Sequence, residues 1–504
     1  MLIERQCLPL RGAPVIEGAS KDFRDFAELL ERVDELLDKT GTENRLVRSA
    51  VKRLQCSGKR KKGWLARFRE GTVFQIRCTI LRKLITTDFR AFSVMASDSA
   101  LIQWFLRKGH VDGFVGKVLG KGLSKSALER YDKVVPAEDI EKAVRMMCAA
   151  VSADTWAGRM PGLDKPLDVR NLFADCTCLE SNIHFPVDWV LLRDAVRTLV
   201  LAIKVIRKHG LRHRIRKPEL FLTEINHLCM AMSATGRKKD GRKRRKKTLR
   251  AMCLVVECVR KHAVRYRDLL AKYRGSHTDL TEAEAAQVLG RIDGVLALLP
   301  ATVGQVRERM LGGRKVEDGK KVLSLYERDA HVIFRGKSGA QVEFGNTLYI
   351  AESPDGLIVD FEYFRDRAPA ESDMLKNCLD RCVRHYGQVE SITTDRGFSS
   401  EESRNACLET GTINNILPRS PRLMAEAMED ESFRAAQKRR AQTEGRIGIV
   451  KNVFIGDTLS GKGYDHQRVE VAWSILAHNL WVLARLAVKG LREKSDPSKI
   501  PRIA

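Results

Sequence analysis

The sequence predicts an α/β protein: a mixed sheet flanked by helices, interrupted by a helical insertion and preceded by an all-α N-terminal region. Three observations predict it. Apolar residues recur at helical spacing through the first 160 residues and again from Pro186 to about Ala301. Around Asp175 the pattern changes to a strand-like segment, and beyond Val322 several short ones follow, bounded by turn residues. The resulting boundaries are a helical region over 1–160, a first sheet segment over 161–185, a basic helical insertion over 186–325, the rest of the core over 326–490 and a tail over 491–504.

Phe23 to Leu37 carries apolar residues at helical spacing, and Thr40-Gly-Thr-Glu-Asn44 closes that helix with a turn. A basic run, Lys59-Arg-Lys-Lys62, leads into Trp64, and helical patterns cover Phe74–Leu84 and Ala100–Leu106. Ser124 is placed to N-cap a short helix exposing Lys125, Glu129 and Arg130. Helix, turn and polar helix fit a DNA reader of the helix-turn-helix kind and an ordinary bundle equally well. Later in the chain, Asn346–Ala351 and Leu357–Phe364 flank Ser353-Pro-Asp-Gly356, a hairpin signal. A helix over Met374–Tyr386, a strand ending at Asp395, a helix through Ser399–Leu408 and a strand at Ile413–Leu417 follow. The closing helix, Val469–Ala487, aligns Trp473, Leu476, Leu480, Leu483 and Leu486 on one core-facing stripe.

Lys and Arg outnumber Asp and Glu by 90 to 64, a net charge of +26 that favours a polyanionic partner, most simply nucleic acid. The densest tract holds ten cations between Arg237 and Arg250: Arg237, Lys238, Lys239, Arg242, Lys243, Arg244, Arg245, Lys246, Lys247 and Arg250. Gly236, Asp240 and Gly241 read as a loop there, and its cations suit phosphate contacts, which carry no base specificity. The twelve cysteines form no paired CxxC motifs, so a structural zinc site is not expected and reduced, buried thiols in a cytoplasmic protein are. Charge breaks the longest apolar stretches short of the ~18 residues a membrane span needs.

Three acids stand out. Asp175 lies in Phe173-Ala-Asp-Cys-Thr-Cys-Leu179, where alternation turns Cys176 and Cys178 to the core; Asp395 lies in Ile392-Thr-Thr-Asp-Arg-Gly-Phe398. Glu444 lies on a helical run between Arg440, one turn earlier, and Lys451, on the same face at about 100° per residue. A carboxylate between two cations suits a metal site that also holds a phosphate. Alone, a strand-end aspartate is commonly a turn residue, and a mid-helix glutamate commonly faces solvent. What joins these three is their order: first strand, hairpin, later strand, following helix. That arrangement is RNase H-like, and two divalent ions about 3.5–4 Å apart in such a site can clamp the attacking and leaving oxygens of a phosphodiester. Carboxylates suit Mg²⁺, with Mn²⁺ as substitute, because it takes hard oxygen ligands. Asp188, Asp194 and Glu343 compete with Asp175 for the first position, and His184 fits either a DNA contact or a structural role.

The stretch Asp175-Cys-Thr-Cys-Leu-Glu-Ser-Asn-Ile-His-Phe-Pro-Val-Asp188 resembles the first-aspartate strand of bacterial insertion-sequence DDE transposases, and Thr393-Thr-Asp-Arg-Gly-Phe398 resembles their second. Arg440, Glu444 and Lys451 match three positions of the Y-R-E-K signature, whose tyrosine position falls on Gln437. Trp104-Phe105 and Ser126-Ala-Leu-Glu-Arg-Tyr131 look like the family's N-terminal domain. The resemblance implies a DNA transposase with Asp175, Asp395 and Glu444 as catalytic metal ligands. Arg440 and Lys451 would contact terminal phosphates of double-stranded DNA, and at least a dimer would act on paired ends. Preferring Asp175 over Glu343 implies a helical insertion between the first and second core strands.

Overall fold

The computed structural model describes residues 13–14, 17–55, 64–86, 88–107, 122–234, 240–334, 342–456 and 458–495. Two compact units emerge, Met1–Glu180 with Asn346–Ala504, and Ser181–Gly345. In chain order the first unit begins with α1 (Lys21–Lys39), α2 (Thr42–Gln55), α3 (Trp64–Ile85), α4 (Phe89–Asp98), α5 (Ala100–Arg107), α6 (Lys125–Tyr131), α7 (Ala137–Ser152) and β1 (Asn171–Ser181). The second unit holds α8 (Asp188–Lys208), α9 (Pro218–Ala234), α10 (Gly241–Tyr273), α11 (Glu282–Val306) and β2 (His331–Phe334). β3 (Val342–Glu352) returns the chain to the first unit, followed by β4 (Ile358–Tyr363), α12 (Glu371–Tyr386), β5 (Ser391–Thr394), α13 (Glu401–Thr410) and β6 (Ile413–Ile416). Then come α14 (Pro421–Ala427), α15 (Glu431–Ile449), a π-helical turn (Val450–Ile455), β7 (Thr458–Leu459) and α16 (Tyr464–Ser495).

The seven strands form one mixed sheet. Residues 342–345 of β3 pair with β2 and residues 348–352 pair with β4, both antiparallel. Within the first unit the order is therefore β4-β3-β1-β5-β6, with β1, β5 and β6 mutually parallel. The hairpin closes through Ser353, whose N–H donates to Leu357 O at 2.8 Å. Gly356 is required at its tip: φ is +87°, and a Cβ there would collide with the Arg446 guanidinium.

α16 organises the core of this unit. Trp473, Leu476, Leu480 and Leu483 are fully buried, and α1, α3 and α7 pack against it. Apolar residues of the N-terminal helices and of the sheet belong to one continuous cluster. Buried Asn479 completes the edge of β4, accepting from Ile358 N–H at 3.0 Å and donating to Ile358 O at 2.8 Å. Burial holds the neighbouring His478 down at about 3, so that imidazole is neutral. Ser124 caps α6 as expected, accepting from Ala127 N–H at 3.2 Å.

One expectation is corrected. The helices Glu282–Leu311 and Tyr464–Lys494 are long and apolar enough to cross a membrane by length and composition, although Asp293 and Arg307 bound the apolar run of the first and Glu470 and Arg485 that of the second. The second has 78% of its apolar window buried, the environment of a core helix. The correction concerns the basic tract. Arg237, Lys238 and Lys239 lie outside the described residues, as does Lys59-Arg-Lys-Lys62, but from Gly241 onward the tract is helix, not loop. Lys and Arg are good helix formers, and buried Leu249, Met252, Val255 and Val256 anchor α10 in the second unit's core. A run of like charge reports solvation; it does not report backbone conformation.

Candidate active site

The strand register is the starting point. Asn171 lies opposite Ser391, Leu172 opposite Ile392 and Phe173 opposite Thr393. Asp175 follows two residues after Phe173 on β1, and Asp395 two residues after Thr393, just past the end of β5. Both carboxylates are half-buried and locally fixed. Asp175 accepts from Cys176 N–H at 2.7 Å, and Asp395 accepts from Gly397 N–H at 2.9 Å as it caps a 3₁₀ turn.

Gln437 on α15 donates to Thr394 O and Asn415 O at 3.3 and 2.7 Å, tying the helix to the ends of β5 and β6. Its Oε1 accepts from Arg440 Nε at 3.2 Å. Gln437 therefore orients the arginine and pins the strand end that precedes Asp395. The Arg439 guanidinium stacks 4.6 Å from the Phe173 ring and also donates to Ser353 O and Pro354 O.

A buried acid holds the helix from its other side. Glu352, at the end of β3, is fully buried and accepts from Thr443 Oγ1 at 2.7 Å, Arg439 Nη1 at 3.1 Å and Arg446 Nε at 3.1 Å. These three donors are spaced i, i+4, i+7 and form one stripe. The stripe of Arg440, Glu444 and Lys451 is about 100° further round the helix. Lys451 donates to Cys178 O at 2.9 Å, three residues beyond Asp175 on β1, and keeps two further N–H donors.

Electrostatics brings the acids together. The Asp175 carboxyl is pushed up to about 6, first by burial and then by the charges of Asp395 and Glu444, against the Cys176 N–H and Arg440. Carboxylates distant in the chain thus share one field. Among the described residues none of Asp175, Asp395 and Glu444 forms an ion pair. Sequence reasoning missed a fourth acid, Glu371, in the first turn of α12. Burial and then Asp395 raise its proton affinity, with Asp175 contributing and Arg419 opposing. Glu371 Oε2 and Asp395 Oδ1 lie 2.5 and 3.0 Å from where a Gly397 Cβ would sit, so a side chain there would displace the acid. Arg419 holds the same loop, donating to Arg396 O and Gly397 O at 3.1 and 2.8 Å.

A raised Asp175 value has a defined sign. The folded protein holds this proton more tightly than the unfolded chain, so stability falls as pH rises from about 4 to about 6. In metal-free protein Asp175→Asn is expected to remove that loss, leaving the variant more stable than the parent at pH 7 by about 1–3 kcal/mol. Paired thermal melts at pH 4 and pH 7 read it; a variant less stable at pH 7 would contradict the placement.

The competing acids have other work. Asp188 is buried and receives Gln305 Nε2 and Arg309 Nη1, both at 2.8 Å, inside the second unit. Asp194 receives His184 Nε2 at 3.1 Å and Arg193 at 3.0 Å, a structural role for that histidine. Glu343 lies opposite Ile333 in the β2–β3 ladder. Cys178 is buried, while Cys176 is half-buried with its Sγ 3.8 Å from Met374 Sδ.

The predicted DNA contacts divide. Arg242, Lys243, Arg244, Lys247 and Arg250 are exposed on α10, whereas Arg245 and Lys246 are partly covered, Arg245 lying 5.9 Å from the Trp189 ring. Lys125 is exposed but pairs with Glu129 at 3.4 Å, and Arg130 is exposed beside it. None of these joins the acidic cluster. A separate group, Asp360 with Cys378 and Cys382, has ligand atoms within 4.8 Å of one another. It makes a poor metal site, because Arg381 occupies both Asp360 oxygens at 2.7–3.1 Å, and mutual hydrogen bonding and burial raise the Cys378 thiol.

Comparison with protein-family models, curated proteins and solved structures returns no match.

Proposed function

We propose that this protein is a DDE-type DNA transposase with an RNase H-like core. One observation carries the reading: Asp175 and Asp395 follow neighbouring parallel strands, and the charges of Asp395 and of Glu444, on a covering helix, both act on the Asp175 carboxyl, with Arg440 opposing them and Lys451 tied to β1. The strand order β4-β3-β1-β5-β6 supports the RNase H-like assignment.

The donor set fits a hard divalent cation. It offers only carboxylate oxygens; burial and then repulsion from Asp395 and Glu444 drive Asp175 towards protonation, and a dication would relieve that repulsion. Asp175, Asp395 and Glu444 would hold Mg²⁺, or Mn²⁺ in its place, with Glu371 adjacent. Bound there, Mg²⁺ supplies Lewis-acid polarisation of the scissile phosphodiester and of the attacking oxygen. Arg440 presents a planar fork for a phosphate, held in orientation by Gln437, and Lys451 supplies a point charge from the β1 side. In the first reaction water displaces the 3′ oxygen from phosphorus at the element's end, releasing a 3′-hydroxyl. In the second, that hydroxyl attacks a target phosphodiester in line, forming one P–O bond as another breaks. Double-stranded DNA is the substrate, a homo-oligomer of at least two copies pairs the ends, and the bacterial cytoplasm is the proposed setting.

The test incubates the full chain and Mg²⁺ or Mn²⁺ with a plasmid carrying its own gene and native flanking DNA. Breaks at fixed flanking positions together with joined products are expected. Breaks that are never joined would leave an RNase H-like nuclease, and binding without metal-dependent cleavage would leave a non-catalytic DNA-binding protein.

A further inference from the structure

A cleft of about 610 Å³ opens between α2 and α7, remote in sequence from every cation assigned above. Arg45, Arg48, Lys52 and Arg53 line it from α2 and Lys142 from α7. Asp139 is the one carboxylate among the lining residues, and it already accepts from Ser49 Oγ at 2.5 Å. Arg48, Arg53 and Lys142 are exposed and form no ion pair among the described residues.

Such crowding of like charge opposes helix stability, since Arg45, Arg48 and Lys52 share one face at i, i+3 and i+7. Its effect is visible nearby. Burial and then Arg48 lower the proton affinity of Arg45, and burial followed by Arg145, Arg384 and Lys142 lowers that of His385 at the end of α12.

We propose that this cleft seats the phosphodiester backbone of duplex DNA without reading its sequence. Arg45 and Lys52 are about 10 Å apart along α2, a span over which duplex DNA presents several phosphates. The lining contains no aromatic side chain, so it offers no platform for stacking unpaired bases, which disfavours a single strand. It also contains no Asn or Gln with which to read adenine edges. The inference rests on the transposase reading only for duplex DNA being the substrate.

The test measures anisotropy of a labelled random-sequence duplex, without metal, across a salt series. Arg48→Ala combined with Lys142→Ala is compared with the parent and with a charge-matched control, Lys376→Ala combined with Arg422→Ala. The cleft variant is expected to bind several-fold more weakly to unrelated duplexes, with a salt slope shallower by about 1.8, from about 0.9 per lost phosphate contact. Circular dichroism melts check that all variants fold. A slope unchanged from the parent, or reduced equally in the control, would overturn the proposal, as would preferential binding of single strands by the parent. Failure is separable from failure of the catalytic reading. Asp395→Asn tests cleavage, and this assay contains no metal.

Discussion

Asp395→Asn is expected to abolish metal-dependent DNA cleavage, by a thousandfold or more, about 4 kcal/mol of transition-state stabilisation. The substitution preserves shape. An asparagine Oδ1 can keep the hydrogen bond from Gly397 N–H that Asp395 accepts at 2.9 Å, so the turn after β5 stays capped. What it removes is the negative charge, and with it one arm of the proposed cation site. The same change relieves repulsion on Asp175, whose proton affinity Asp395 raises. The metal-free variant should therefore melt at or above the parent's temperature. Lost cleavage with retained stability and retained duplex binding would separate a chemical defect from a folding one. Cleavage that survives in the variant would mean that Asp395 is no ligand.

Glu352→Ala is expected to lower stability by about 3–5 kcal/mol, because it removes the buried acid with which two partly buried arginines pair. Thermal unfolding should shift down by on the order of 10 °C. Glu352→Gln, which keeps an acceptor for Thr443, should cost about 1–3 kcal/mol. Function should fall further than stability predicts. Glu352 fixes the rotation of α15 through Arg439, Thr443 and Arg446, and that rotation sets the face on which Arg440 and Glu444 stand. Assayed well below its melting point, folded Glu352→Gln should therefore still cleave more slowly than the parent. Full activity in that variant would reduce Glu352 to a packing residue.

Much of the element order was legible because it is written locally. The Ser353-Pro-Asp-Gly356 turn, the Ser124 cap and the apolar stripe of α16 each lie within a few residues, and each occurs where its pattern says. The basic tract misled because charge density reports exposure, and a helix with one anchored face satisfies it as well as a loop. Glu352 and Glu371 were not legible as site residues. An acid beside a turn or in a first helical turn is ordinary, and nothing near either one names its partners. The stripe of Arg439, Thr443 and Arg446 was a usable signal, since three donors at i, i+4 and i+7 call for a buried acceptor.

By itself the sequence determined most of the segments that are helix or strand, the basic balance of the chain, and the acidic and basic residues offered for chemistry. These follow from short-range sterics, periodicity and composition. Only the tertiary structure decided that the strands leading to Asp175 and Asp395 run side by side, that α15 covers them with Glu444 acting on the Asp175 carboxyl, and that α2 and α7 gather cations around one cleft. The physical reason is range. Register and helix rotation are set by contacts between residues far apart in the chain, and a charge acquires its chemical meaning only from the charges that folding brings beside it.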